Sequence, residues 1–326
     1  MLHFSGTVSI LEKKRFDIFF TEHCTTAIAL TRSQLKARMR ELIVNGKTAK
    51  LSQQVKHGDV YSIIIADEPP SDIMPETIPL DIIYENDDVW VINKPQGMVT
   101  HPAHGNWSGT LANALLGRMK LDTDIPARAG IVHRLDKETS GLIIAAKNLK
   151  AQEALALQFR QRTTEKFYIA LVYGRPEKPE GIIDTWIARD ANHRQRFSVS
   201  SPGTGKHAIS EYKVLCVLEQ EQKKVSVMLV KIKTGRTHQI RVHMKHLGTP
   251  IIGDPVYGAK LKEIVPVALM LHAYYLKIQL PHATSSNEFT APLPERITSY
   301  LNKYNYILSE SQLLKEIKNW KLTLQS

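Results

Sequence analysis

The hydrophobic and polar positions change rhythm several times along the chain. Between residues 31 and 42, Leu35, Met39 and Leu42 fall on one side of a helix, while Arg32, Lys36 and Arg40 recur every fourth residue on another. Thr31 and Gln34 have the spacing of a capping box, so a helix is predicted to start there and to carry a basic stripe. Ile43-Val44-Asn45-Gly46-Lys47-Thr48 predicts a tight hairpin, and His57-Gly58-Asp59 a turn ahead of the β-rich run 61–65. Pro69, Pro70, Pro75 and Pro79 disfavour helix and sheet, which predicts an acidic linker over 68–79. Beyond Leu80, strand-like runs recur at 89–92, 142–146, 167–173, 211–218 and 225–232. Their close spacing in the second half predicts a mixed, mostly antiparallel sheet flanked by helices, an α+β arrangement. Ser309 and Gln312 mark a last helix start, with Leu313, Ile317, Trp320 and Leu324 on a face that packs down.

Composition adds a partner class. Forty-three Lys and Arg against 32 Asp and Glu give a net charge of +11. Residues 1–66 alone hold ten basic and five acidic side chains, a surplus of five. Such a balance favours a polyanion, because phosphates gain from neutralisation and counterion release. No apolar run approaches the ~20 residues of a membrane span, and the start has no signal-peptide pattern. Two cysteines, Cys24 and Cys216, argue against a disulfide framework and fit a reducing cytoplasm. No glycine-rich phosphate loop, dinucleotide fingerprint or zinc-ligand spacing is present, so neither cofactor nor metal is expected.

Three stretches carry chemistry. Gly130-Ile131-Val132-His133-Arg134-Leu135-Asp136-Lys137-Glu138-Thr139-Ser140-Gly141 precedes an apolar strand, which places Asp136 on a loop at a sheet edge. Alone, these charged residues read better as a surface turn than as a catalytic loop. A kinase catalytic loop is excluded by the inserted Leu135 and by the missing Asp-Phe-Gly. The second stretch, Lys166-Phe167-Tyr168-Ile169-Ala170-Leu171-Val172-Tyr173-Gly174, alternates like a strand and carries Tyr168. In the third, from Thr234 to Gly248, Thr237 is predicted to cap a helix that Gly248 ends. His238, Arg241 and Lys245 then share one face and point at an anionic partner. His243 and His246 lack an HExxH frame, which argues against zinc.

The stretch from His133 through Asn148, the Lys166 to Gly174 strand, and Thr234 to Gly258 resemble the three signature motifs of the RluA family of pseudouridine synthases. The resemblance extends to Val91-Ile92-Asn93-Lys94-Pro95-Gln96-Gly97-Met98-Val99-Thr100-His101-Pro102, to Leu271-His272-Ala273 and to Phe289-Thr290-Ala291-Pro292-Leu293-Pro294. The order of elements over 14–67 is similar to an S4-type RNA-binding domain. It departs at Arg15-Phe16-Asp17-Ile18-Phe19-Phe20, where that family usually has a lysine after the aspartate.

The resemblance implies an S4-type domain at 1–67, a linker at 68–79, a pseudouridine synthase domain at 80–300 and a helical extension at 301–326. It implies isomerisation of uridine in structured RNA, specifically large-subunit ribosomal RNA, by a cytoplasmic monomer. Asp136 takes the nucleophile's part, whether it attacks C1′ or the base, or a glycal forms. Arg241 takes the part of the aspartate's cationic partner, through a bond that is bidentate in the strongest geometry, and Tyr168 that of the active-site tyrosine. Arg134 takes the part of the residue that enters the RNA helix. His133, Lys166, Arg236, His238 and Lys245, with Arg32, Lys36 and Arg40 in front, are the further candidate RNA contacts, and Lys94 a candidate phosphate contact. The alternatives are an RluA-type enzyme acting on transfer RNA or several RNAs, and a ribosome-assembly factor that binds RNA without catalysis.

Overall fold

The computed structural model describes residues 1–23, 32–66, 73–103, 105–119, 127–190, 193, 196–220, 223–258 and 268–320. Cys24, Thr31 (and with it the predicted capping box) and Leu324 lie outside the described residues. Two units are distinguished, Met1–Asp72 and Ile73–Ser326.

In the first unit, β1 (Leu2–Thr7), β2 (Lys14–Arg15), α1 (Phe16–His23), α2 (Arg32–Arg38), β3 (Met39–Val44), β4 (Lys47–Thr48), β5 (Gln54–Val55) and β6 (Val60–Ile65) follow in order. An antiparallel sheet runs β1-β6-β3-β4, and β2 pairs with β5. The Asn45-Gly46 pair closes the β3–β4 hairpin with both residues at positive φ, as a tight hairpin turn requires. Phe16, Phe19, Phe20, Leu35, Leu42, Tyr61, Ile63 and Ile65 form its core.

The predicted basic stripe is corrected here. Helix α2 stops at Arg38, and Met39 pairs with Ile65, so Arg40 lies on a strand and not on the helix of Arg32 and Lys36. Pairing of 39–44 with β6 outweighs the local four-residue periodicity. Arg32 is also engaged, since it shares Asp17 with Arg15 at 2.9 and 3.0 Å.

The second unit is built on one twisted sheet. Its elements are β7 (Asp81–Glu85), β8 (Val89–Lys94), α3 (Leu111–Arg118), β9 (Ser140–Ala146), α4 (Leu149–Gln161), β10 (Glu165–Tyr173), β11 (Glu180–Arg189), β12 (Phe197–Ser200), β13 (Lys206–Gln220), β14 (Lys223–Ile232), α5 (Gln239–His246), β15 (Leu271–Ile278), β16 (Asn287–Thr290), α6 (Glu295–Asn302) and α7 (Glu310–Lys318). The order is β12-β11-β13-β14-β10-β15-β9-β8-β7, with β16 also on β15. Among the described residues the β9–β15 pairing is parallel and the other pairings are antiparallel.

The central strands are covered on both faces, which explains their continuous apolar runs. Trp90, Ile92, Ile143 and Ala145 face the core that also takes α3, α5, α6 and α7. Val89, Val91, Leu142, Ile144 and Ala146 face the opposite way, onto Ala151 and Leu155 of α4. Ser309 caps α7 by accepting from the Gln312 N–H, and Leu313 and Ile317 pack into the main core as the stripe predicts. Strand β15 thus lies between β9 and β10, the strands that follow Asp136 and carry Tyr168. Among the described residues no helix is long and apolar enough to cross a membrane.

Candidate active site

The loop ahead of β9 is clamped by the loop after β8. Thr100 Oγ1 donates to the Leu135 carbonyl at 2.8 Å, and the Gly97 N–H donates to the Lys137 carbonyl at 2.8 Å. Gln96 Nε2 donates to the Glu138 carbonyl, while Thr139 N–H returns to Asp136 and closes a turn. Asp136 therefore projects from a short loop fixed at four points, with its side chain 17% exposed.

A cleft of about 480 Å³, counting the open solvent at its mouth, lies over it. Arg134, Asp136, Tyr168, Arg236, His238 and Arg241 line it. Six sequence-selected residues from three separate stretches are thus brought together. Burial, followed by the charge of Asp136, pushes Tyr168 well above the ordinary phenol range, so it stands in the cleft as a neutral phenol. Arg134 is exposed at the cleft, and Arg236 Nε donates to the His207 carbonyl at 2.9 Å.

Arg241 corrects the expected pairing. Its Nε and Nη2 fork onto the two oxygens of Asp254 at 2.7 and 2.8 Å. Asp136 receives Nη1 alone, at 3.5 Å from Oδ2. The bidentate bond is therefore made to Asp254, a residue whose Gly-Asp-Pro setting reads as an ordinary turn. Burial opposes the charge of both partners, but their mutual bonds prevail: the Asp254 carboxyl is held below its usual range and Arg241 stays ionised.

His238, not Thr237, occupies the N-cap of α5, at φ 56° and with no side-chain capping bond. Its Nε2 lies 4.0 Å from Asp136 Oδ2 and its Nδ1 3.0 Å from the Tyr257 hydroxyl. Burial holds the imidazole toward its neutral form, against the pull of Asp136. The loop before α5 is fastened by Gln239, which accepts from Thr234 Oγ1 and the Arg236 N–H and donates to the Ile209 carbonyl.

Other sequence candidates sit elsewhere. His133 accepts the Ile144 N–H on Nε2 at 3.0 Å and stacks on Phe159, and burial pushes it down to about 3. Lys166 lies over the other side of this arrangement, 5.1 Å from the Phe159 ring centre, and is lowered by burial to about 8. Lys245 is exposed, with its ammonium 5.8 Å from the Tyr257 ring centre. Lys94 is no surface phosphate contact. It is wholly buried, donates to the carbonyls of Pro95 and Met98 at 2.9 Å, and leans on Lys137 at 3.5 Å. Burial brings it down to about 7, with Asp136 and Glu138 working against that shift. His243 bonds Thr185 and Ser210, and among the described residues no group of three or more potential ligands is gathered for a metal.

The profile of the RNA pseudouridylate synthase family matches residues 88–246, from β8 to the end of α5. An uncharacterized RNA pseudouridine synthase of Chlorobaculum parvum is 40% identical over 91% of this chain and 96% of its own length. The chain belongs to the RluA-family RNA pseudouridine synthases. Among its pseudouridine synthase relatives, the ribosomal large subunit pseudouridine synthase D of Borreliella burgdorferi is 42% identical, over 84% of this chain and 85% of that protein. Human RNA pseudouridylate synthase domain containing 1 shares the synthase fold with a TM-score of 0.58 at 27% identity, covering 78% of this chain and 98% of that one. The profile match spans Asp136, Tyr168 and Arg241 but ends before Asp254 and Tyr257.

Proposed function

We propose that this pseudouridine synthase isomerises specific uridines in large-subunit ribosomal RNA, with Asp136 as its nucleophile. The observation that carries this reading is the setting of Asp136: a loop carboxylate at the base of a cleft, facing Arg241 Nη1 at 3.5 Å and walled by Tyr168. Pseudouridylation breaks the N1–C1′ bond and makes a C5–C1′ bond, while a proton leaves C5 and one is gained at N1. The reaction needs an ionised nucleophile, a surface for the turning base and exclusion of water. Arg241 favours the ionised carboxylate, and Tyr168 as a phenol stacks on or donates to the uracil. The base reaches this cleft only if extruded from its stack, which costs a few kcal/mol. Exposed Arg134 at the mouth fills the gap that the base leaves.

Residues 1–67 act in this proposal as an S4-type RNA-binding domain, with Lys36 and Arg40 exposed. The ribosomal target is supported by relatives from Borreliella burgdorferi, Nitrosomonas europaea and Neisseria meningitidis, each called a ribosomal large subunit pseudouridine synthase D.

The test has two arms. Pseudouridine mapping with and without the gene shows loss at large-subunit uridines; loss confined to transfer RNA refutes the ribosomal target. Asp136→Asn abolishes product formation while RNA affinity stays within a few fold, and turnover by this variant refutes the nucleophile.

A further inference from the structure

Arg241 is held by a carboxylate other than the one it serves. The Nε–Nη2 edge of its guanidinium is spent on Asp254, and Nη1 turns to Asp136. Asp254 has a fully buried side chain, and its Oδ1 also accepts the N–H groups of Val256 and Tyr257 at 2.9 and 3.0 Å. Its position is therefore fixed independently of Arg241.

Tyr257, three residues on, acts on the second neighbour of Asp136. Its hydroxyl oxygen accepts the Phe197 N–H at 2.9 Å. The hydroxyl proton then points to His238 Nδ1 at 3.0 Å, which leaves Nε2–H turned toward Asp136 Oδ2 at 4.0 Å. His238 adopts φ 56°, an uncommon left-handed conformation for a residue with a side chain. One turn, residues 254–257, thus sets both groups that bear on the same oxygen of Asp136.

We propose that Asp254 and Tyr257 are positioning residues for the nucleophile, a role that rests on Asp136 being that nucleophile. An arginine free to fork would close on Asp136, tie both carboxylate oxygens and spend the lone pairs that must attack. Held on Asp254, it supplies a favourable field from 3.5 Å, and both it and His238 approach Asp136 at Oδ2. Tyr257 aims His238 at that oxygen.

The experiment uses the full-length enzyme, RNA carrying tritium at uridine C5, and single-turnover rates across pH. Besides Arg241 and His238, the titratable groups facing Asp136 are Lys94 from β8, Tyr168 from β10 and Tyr257 from the turn. Asp254→Asn removes none of them. It is expected to slow the chemical step on the order of 100-fold, since misplacement by about 1 Å has that effect. The acidic limb of the pH profile should move toward acid by about one unit or more, as the released arginine closes on Asp136. Tyr257→Phe should slow the step about tenfold, the worth of one aimed hydrogen bond. A rate that falls only with the folded fraction, with the acidic limb unmoved, overturns the proposal.

A measurement on the unaltered enzyme stands even if Asp254→Asn fails to fold. Nitrogen-edited NMR should show a slowly exchanging Arg241 Nε–H and hindered rotation of its guanidinium. A rapidly averaging Arg241 signal overturns the proposal as well. Failure of the underlying reading is seen separately, as turnover by Asp136→Asn.

Discussion

Replacing Gly141 with alanine tests how the sheet sets the spacing of the site. Gly141 is the second residue of β9 and pairs with Ala273 in the parallel β9–β15 ladder, at φ +109°. A Cβ built there would stand 2.2 Å from the Ala273 carbonyl oxygen and 2.7 Å from its nitrogen. Both are backbone atoms, so no side-chain rotation relieves the clash. To regain ordinary contact the two strands must part by about 1 Å, an overpacking that costs about 1–3 kcal/mol. The positive φ adds about 1–3 kcal/mol for a residue with a side chain. A total near 4 kcal/mol leaves a domain of ordinary stability marginally folded. The functional effect follows from the strand order. Because β15 separates β9 from β10, opening this ladder moves Asp136 away from Tyr168. A 1 Å displacement predicts a chemical step slower by on the order of 100-fold in the molecules that remain folded. Urea denaturation gives the stability, and single-turnover tritium release at saturating RNA gives the rate. Gly203→Ala is the control: it has φ +83° with nothing within 4 Å, so it carries the backbone cost without the crowding. Gly141→Ala within threefold of the wild-type rate, with a stability loss no larger than that of Gly203→Ala, would refute the reasoning.

Two further outcomes are expected. His243 and His272 are wholly buried and lowered by burial to about 4 from an ordinary 6.5. The unfolded chain protonates them first, so the stability they contribute above pH 6.5 is lost as pH falls toward 4, by on the order of 3 kcal/mol each; urea unfolding free energies that stay flat across this range would count against their burial as neutral rings. Deleting residues 1–66 should weaken RNA binding by about tenfold or more and flatten its salt dependence while leaving the saturated chemical step within a few fold. Fluorescence anisotropy at several salt concentrations reads this directly, and an unchanged affinity removes the front unit from RNA binding.

Much of the fold and site can be traced to local pattern. Asn45-Gly46 specifies its hairpin, Ser309 its helix start, and the apolar runs of β8, β9, β10 and β14 declare strands buried on both faces. Asp136, Tyr168 and Arg241 stood out through the family resemblance of their stretches; alone, the first reads as part of a surface turn and the second as a packing residue. What escaped depends on acceptors distant in sequence. Arg40 kept a helical spacing from Lys36, but Ile65 recruited Met39 into a strand. Lys94 reads as a cation at a strand end, yet three carbonyls from two loops enclose its head. Asp254 has no local pattern linking it to Arg241 thirteen residues earlier, and only the fold brings the two within 2.7 Å. A basic residue in this chain therefore counts toward RNA only if no such acceptor claims it. Arg32 is shared with Asp17, Arg241 is neutralised by Asp254 and Lys94 is sealed away. The count of 43 Lys and Arg therefore overstates the cations available to phosphate, and the number of counterions released on binding should be well below that count.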